Sequence, residues 1–353
     1  METGRKRHEW IDLLRGIAVV GMVWTHVANT FLDGRLQGTQ VFQDLTFYHG
    51  LVSPLFFWVA GYVRGMSAAK PGPRRPPWST MKRLLLILAA GYVLHIPWQP
   101  LLRGDFSPCV MKAMCQCDVL QSLAVSCLLL LAVEWRPWQL RGKLLVVLGM
   151  GVAVLLCTQY LPPINTGCLP LDAFLSPVNG SLFPLLPWMA FACAGFLVGA
   201  TGTLSWRLFM VSALAAFALP HVPKHPDVIS FFFERLGWVI MIAVAVMKGA
   251  LALRQRYLAL PEGLLLAGRT SLCVYITHLI LIYWLPIWEW ARVNSVAVSG
   301  TAQGPALSST AEMTCSWVMT LGIFAAVTTV SLGVARMKEW RILSVQASPI
   351  AST

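Results

Sequence analysis

The sequence predicts an all-α integral membrane protein, a polytopic bundle of about ten transmembrane helices with both termini cytoplasmic. Three observations carry this. The 353 residues are 57% hydrophobic, with a mean hydropathy of +0.66. Only 12% are charged, about half the share in a soluble domain. The apolar segments recur at spanning length, about 20 residues for a ~30 Å hydrocarbon core, and most basic residues fall in short loops between them. The net charge of +12 therefore reads as the positive-inside pattern. It does not read as a nucleic-acid footprint.

The basic N-terminus, with Arg5, Lys6 and Arg7, is expected inside, and the first span, Trp10–Phe31, carries the chain out. A polar loop leads to a second span over about Tyr48–Ser67 and then to an inner loop with Lys70, Arg74, Arg75, Lys82 and Arg83. Further spans are expected over about Leu84–Leu102, Asp118–Ala132 and Leu144–Tyr160. A Pro-, Asn- and Gly-rich outer loop, about Leu161–Ser181, precedes a span over Leu182–Ala200. The seventh ends near Leu219, and the last three cover about Val228–Met247, Gly263–Trp284 and Thr314–Val334. Of the 27 Lys and Arg, only Arg35, Arg103, Lys112, Lys224, Arg235 and Arg292 fall outside in this topology. No cleavable signal is expected, because the first apolar segment is full length and lacks a small-residue cleavage pattern. Residues 1–353 are expected to form one transmembrane domain. The nine cysteines are scattered and suggest no disulfide scaffold.

The first span carries Asp12, Arg15 and His26. Ionisable groups inside a span are costly and usually face a bundle interior or a cavity. Arg15 and His26 are about three turns apart, roughly 16 Å along one face, with Met22 and Asn29 on the same stripe. A neutral imidazole can take a proton from an attacking hydroxyl or amine, or carry an acyl group. The ring would equally suit a histidine bonded to a neighbouring carbonyl. Asp12 and Arg15 would suit a local ion pair near the positive end of the helix. Arg15 would also suit an anionic group at the inner mouth.

Pro54, inside the second apolar run, is expected to kink or break it and free backbone carbonyls. His49 would lie near the outer mouth, level with His26. Gly61 and Gly65 form a small-xxx-small pair that reads as plain packing. Arg64 offers only loop charge. Ser271, Tyr275 and His278 recur on one helix face, with Arg269 toward the inner mouth. This stripe would bind substrate or bond neighbouring helices. Cys115 and Cys117 lack a zinc-type spacing and a partner pair, so no metal is expected. There is no G-x-S-x-G elbow and no P-loop.

I-D-L-L-R-G-I-A-V-V-G-M-V-W-T-H (Ile11–His26) resembles the first helix of the transmembrane acyltransferases. More narrowly, it resembles the heparan-alpha-glucosaminide N-acetyltransferase catalytic-domain family and its YeiB-like bacterial relatives. H-G-L-V-S-P-L-F-F-W-V-A-G-Y (His49–Tyr62) is similar to that family's second helix. D-V-L-Q-S-L-A (Asp118–Ala124) resembles its D-x-L-Q segment, and the run Phe183–Gly199 its F-P-x-x-P-W helix. G-R-T-S-L-C-V-Y-I-T-H (Gly268–His278) is similar to its late G-x-x-S-L-x-x-Y-x-x-H helix. The five occur in family order.

The resemblance implies transfer of an acyl group, typically acetyl from acetyl-CoA as co-substrate, to an acceptor on the far side, often a sugar. It implies His26, His49 and Asp12 as catalytic candidates, with Arg15, Lys82, Arg83, Arg254, Arg256 and Arg269 meeting the CoA phosphates. Asn29, Asp118, Gln121, Trp188, Ser271, Tyr275 and His278 would contact substrate. Eukaryotic members place a functional histidine in the loop after the first helix. Leu32–Phe47 has none here, which leaves His26 and His49 as competitors. No glycan-binding domain accompanies the helices, so an acceptor other than heparan is expected. The partners implied are an acyl-CoA donor, a glycan or small-molecule acceptor and the lipid bilayer, with no nucleic acid. The expected location is the bacterial inner membrane, and the oligomeric state stays open. The alternative reading is a transporter or permease for a small polar solute, although no internal repeat is visible.

Overall fold

The computed structural model describes residues 8–70, 78–177, 180–218, 228–285 and 310–347, and among them there is no strand. The first predicted span is α1, Glu9–Phe31. The predicted polar loop after it is mostly helical. Asp33 caps the short α2, Gly34–Gln37, by accepting from the backbone N–H of Arg35 at 2.8 Å. The second span, α3, is longer than expected, Gln40–Ala68. It runs through Pro54 without a break, so of the expected kink or break the second is excluded. The third predicted span stops at His95: α4 covers Trp78–His95, and α5, Trp98–Leu102, follows a break before Pro97. Pro97 explains it, since the residue before a proline is pushed out of helical geometry.

There follow α6 (Pro108–Cys115), α7 (Val119–Trp135), α8 (Leu140–Tyr160), α9 (Leu169–Leu175), α10 (Leu185–Thr201), α11 (Trp206–Ala218) and α12 (Val228–Gln255). The expected single helix over Gly263–Trp284 is instead two, α13 (Glu262–Arg269) and α14 (Ser271–Leu279), bent by 85°. Thr270 makes the corner. Its hydroxyl donates back to the Leu266 carbonyl at 2.6 Å, and its backbone leaves the helical region. After α14 the chain tightens into one π-helical turn, Ile280–Trp284. Last comes α15, Thr310–Ala347.

Among the described residues, α1, α8, α12 and the Thr314–Trp340 stretch of α15 are long and apolar enough to cross a membrane. The bent pairs α6/α7 and α13/α14 raise the count from 4 to 6 if each is one span. The expected turn His221–Asp227, the loop with Arg292 and the basic residues Arg5, Lys6, Arg7, Arg74 and Arg75 lie outside the described residues.

The chain divides into two compact units, Met1–Val52 with Val246–Thr353, and Ser53–Ala245. In the first, α1 and α13 cross at backbone contact. A methyl on Gly16 would overlap the Leu264 carbonyl, and one on Gly268 would overlap that of Asp12. Each helix thus offers a glycine to the other's carbonyl, four residues from the carbonyl it exposes in return. Leu13, Ala250, Leu260 and Leu265 pack beside this crossing. In the second unit, α3 and α10 repeat the device. Gly61 and Gly65 abut the Ala192 and Phe196 carbonyls, while Gly195 and Gly199 abut those of Trp58 and Tyr62. Such contacts permit weak Cα–H···O bonds and close dispersion contact, a main source of helix association where lipid surrounds the bundle. Phe57, Phe191, Phe196, Leu130 and Val147 form the core next to it.

Candidate functional site

In the first unit, the bend at Thr270 aims α14 so that its side chains meet α1. His26 Nδ1 lies 3.0 Å from the Tyr283 hydroxyl, and the Thr30 hydroxyl donates to the same oxygen at 3.3 Å. The His26 ring is 5.2 Å from that of His278, centroid to centroid. His278 is fully buried, with its Nδ1 3.0 Å from the Val274 carbonyl one turn earlier. A carbonyl only accepts, so Nδ1 bears the proton and Nε2 keeps a lone pair. That Nε2 is buried and has no hydrogen-bond partner among the described residues. Tyr275, itself buried, meets the His278 ring edge-on at 5.5 Å. Two imidazoles, two phenols and a threonine hydroxyl therefore converge where α1 meets α14 and its π-turn.

The π-turn explains why Tyr283 joins them. It stands five residues after His278, off the His278 face in a regular helix, and the i→i+5 pattern of a π-turn alters that register. Tyr283 is half exposed, whereas His278 is fully buried. Thr30 follows His26 by one turn on the same face.

Asp12 and Arg15, the other ionisable groups of α1, form an ion pair at 3.7 Å, with Asp12 buried. This is the local ion pair, one of the two arrangements the spacing suited. His49 belongs to the same unit. Its ring meets Trp24 at 6.4 Å and Phe42 at 6.0 Å, both edge-on, and neither nitrogen has a hydrogen-bond partner among the described residues. Asn29 is exposed and gives its carbonyl to Gln37, and Ser271 opens α14 half-buried.

Three of the predicted phosphate-binding cations are held by carboxylates, Arg15 by Asp12 and two others. Arg254 makes a fork with Glu9 at 2.6–2.9 Å. Arg269 meets Glu262 at 2.5 Å and Glu339 at 2.9 Å. Arg256, Lys82 and Arg83 are exposed.

The second unit holds a different polar group. His95 places Nε2 3.1 Å from Asp118 Oδ2 and Nδ1 3.0 Å from the Gly91 carbonyl. Both nitrogens face oxygen acceptors, which suits a doubly protonated ring. Gln121, fully buried, lies against Gly91, and neither amide atom has a partner among the described residues. Trp188 is engaged in packing, with the rings of Phe183, Phe57 and Phe191 at 4.7, 6.1 and 6.0 Å. Arg64, read from the sequence as loop charge, lies within α3 and pairs with Glu134 at 3.2 Å. The fully buried Lys143 donates to the Glu134 carbonyl at 2.5 Å.

Sequence reasoning missed Tyr283, Thr30, His95 and the Arg64–Glu134–Lys143 group. Thr30 carried a signal, its one-turn spacing from His26. Tyr283 carried none, because a π-turn has no composition signature.

Outside these helices, Asp33 is held below the usual carboxylate range by the Arg35 side chain, which donates to it at 2.9 and 3.1 Å. Asp172 is lowered by the Thr166 backbone N–H and hydroxyl, which donate at 2.6 and 2.7 Å.

The family model described as "Heparan-alpha-glucosaminide N-acetyltransferase, catalytic" matches residues 7–226. That segment contains Asp12, Arg15, His26, Thr30 and His49, and α14 with its π-turn lies beyond it. No curated protein matches the chain.

Proposed function

Because the chain belongs to the heparan-alpha-glucosaminide N-acetyltransferase catalytic family, we propose that it moves an acetyl group from acetyl-CoA to a sugar or glycan acceptor across the membrane. The observation that carries this is the His26 site. The first helix of the matched segment sets its histidine against Tyr283 and His278. The rings supply proton donors and acceptors beside a half-exposed phenol, which is what acyl transfer needs. In this reading the chain crosses ten times with both termini inside, in a bacterial inner membrane. CoA enters from the inner side, where exposed Arg256 of the first unit meets its phosphates; Lys82 and Arg83 are exposed on the second unit. Arg15, Arg254 and Arg269 join only by exchanging their carboxylate partners. The thioester then reaches His26. His49, Asn29, Ser271 and Tyr275 flank the acceptor.

The test is thiol release from acetyl-CoA by purified protein with a panel of hexoses and hexosamines, alongside a melting curve across acetyl-CoA concentrations. Binding to the folded state alone raises Tm in a saturable way. Acceptor-dependent thiol release with such a rise supports the reading. Neither effect, from well-folded protein, contradicts it.

The 85° break between α13 and α14 also favours a solute permease, since broken helices at membrane depth line cavities. Solute flux into vesicles without thioester consumption would support that reading.

A further inference from the structure

The two histidines hold complementary protons. We infer that His278, rather than His26, accepts the proton of the attacking group, and that His26 serves as a hydrogen-bond donor to the thioester. The inference rests on the acyl-transfer reading and divides the labour within that site.

His278 is fixed as an acceptor by its own helix. Its Nδ1–H donates to the Val274 carbonyl at 3.0 Å, so the lone pair is on Nε2. That atom is buried and has no hydrogen-bond partner among the described residues. A buried acceptor left unbonded is costly, by the full desolvation penalty of the group. It is kept at low cost only where something else donates to it, and an acceptor hydroxyl or amine is such a group. Satisfied structural histidines have both nitrogens engaged, as His95 does with Gly91 and Asp118.

His26 is assigned the opposite tautomer. In this assignment the Thr30 hydroxyl donates to the Tyr283 oxygen at 3.3 Å, and the phenolic O–H donates to His26 Nδ1, 3.0 Å away. With Nδ1 accepting, the neutral ring carries its proton on Nε2.

The reaction balances with these protons. The oxygen or nitrogen of the acceptor forms a bond to the thioester carbon as its proton passes to His278 Nε2. The carbonyl π electrons move to oxygen, where His26 Nε2–H donates to the developing charge. The adduct collapses, the C–S bond breaks, and its electron pair leaves with sulfur. The thiolate takes the proton from His278. Both rings end as they began, with one ester or amide and one free CoA thiol formed.

His278→Asn isolates the role, because the asparagine amide stands where Nδ1 stood and can still donate to Val274, while the Nε2 lone pair is gone. The measurement is thiol release from acetyl-CoA by full-length wild type, His278→Asn and His26→Asn, the last keeping an acceptor for Tyr283 and losing the Nε2–H. One arm uses an equimolar pool of glucose, galactose, glucosamine and N-acetylglucosamine. The other uses hydroxylamine, which attacks without general-base help. His278→Asn should lose about a hundredfold or more with the sugars, the usual scale for general-base catalysis, and under about tenfold with hydroxylamine. His26→Asn should lose comparably in both arms. Tm and its rise with acetyl-CoA report that each variant folds and binds donor. If folded His278→Asn keeps the sugar rate within about threefold, or loses both arms equally, the assignment to His278 is overturned. If wild type releases no thiol in either arm, the acyl-transfer reading falls and takes the inference with it.

Discussion

His26 Nδ1 and the Tyr283 hydroxyl meet at 3.0 Å across 257 residues of sequence. The contact ties the family's first helix to a turn beyond the segment that the family model matches. Tyr283→Phe removes the oxygen that orients the ring and keeps the rest of the side chain. Losing one orienting hydrogen bond of about 1–1.5 kcal/mol should lower kcat roughly tenfold. KM for acetyl-CoA should move little. Steady-state kinetics of the variant check this, and an unchanged kcat would remove Tyr283 from the site.

The glycine contacts make a sharper structural prediction. Gly268→Ala would force a methyl into the Asp12 carbonyl. Backbone cannot yield as a flexible side chain can, so α1 and α13 must separate. The expected cost is about 1–3 kcal/mol or more, the scale of overpacking, together with lost activity, since α1 carries His26. Gly249→Ala, in open space on α12, should be neutral or stabilising by up to ~1 kcal/mol. Melting curves of the two variants in one detergent decide it.

Glu134 stands between two cations. Its carboxylate pairs with Arg64 at 3.2 Å, and its carbonyl accepts from buried Lys143. Glu134→Gln leaves both positive charges in a largely buried place. The expected loss is several kcal/mol, up to about 3–5 for a fully buried pair and less here because Arg64 is 20% exposed. Arg64→Met on top of Glu134→Gln should recover part of it. A double-mutant cycle in which Arg64→Met restores nothing would deny the coupling.

Asp33 predicts the direction of a pH effect. Arg35 holds its folded-state pKa below the unfolded value. The stabilisation is therefore complete above the ordinary carboxylate range and is lost as pH falls through the depressed folded pKa. The pair is partly exposed, so its worth is about 0.2–1 kcal/mol. Between neutral pH and about pH 3, Tm of the wild type should fall more than that of Asp33→Asn. Parallel curves would show that the pair contributes nothing.

The helices were legible because apolar runs and basic loops mark them directly. Each of the ten predicted segments contains helix among the described residues, and the first was placed to within a residue. The corner at Thr270 was not legible. Threonine is unremarkable in an apolar run, and its hydroxyl bond to Leu266 is the same one-turn-back bond that Thr25 and Thr46 make inside unbroken helices. At Pro54 the expected kink or break is not a break, because α3 continues through it. In the site, His26 and His278 were visible as ionisable groups in apolar runs, and the Asp12–Arg15 pair followed from spacing. The pairing of His26 with Tyr283 depends on the corner and the π-turn together. His95 with Asp118, and Arg64 with Glu134, depend on helix packing that periodicity does not encode.

Acetyl transfer at the His26 site is read most directly as acceptor-dependent thiol release from acetyl-CoA by His26→Asn beside wild type, with Tm and its rise on acetyl-CoA as the check on folding and donor binding. The expected result is a loss of about a hundredfold or more in rate with the acetyl-CoA shift retained. A folded variant that transfers acetyl at the wild-type rate would contradict it.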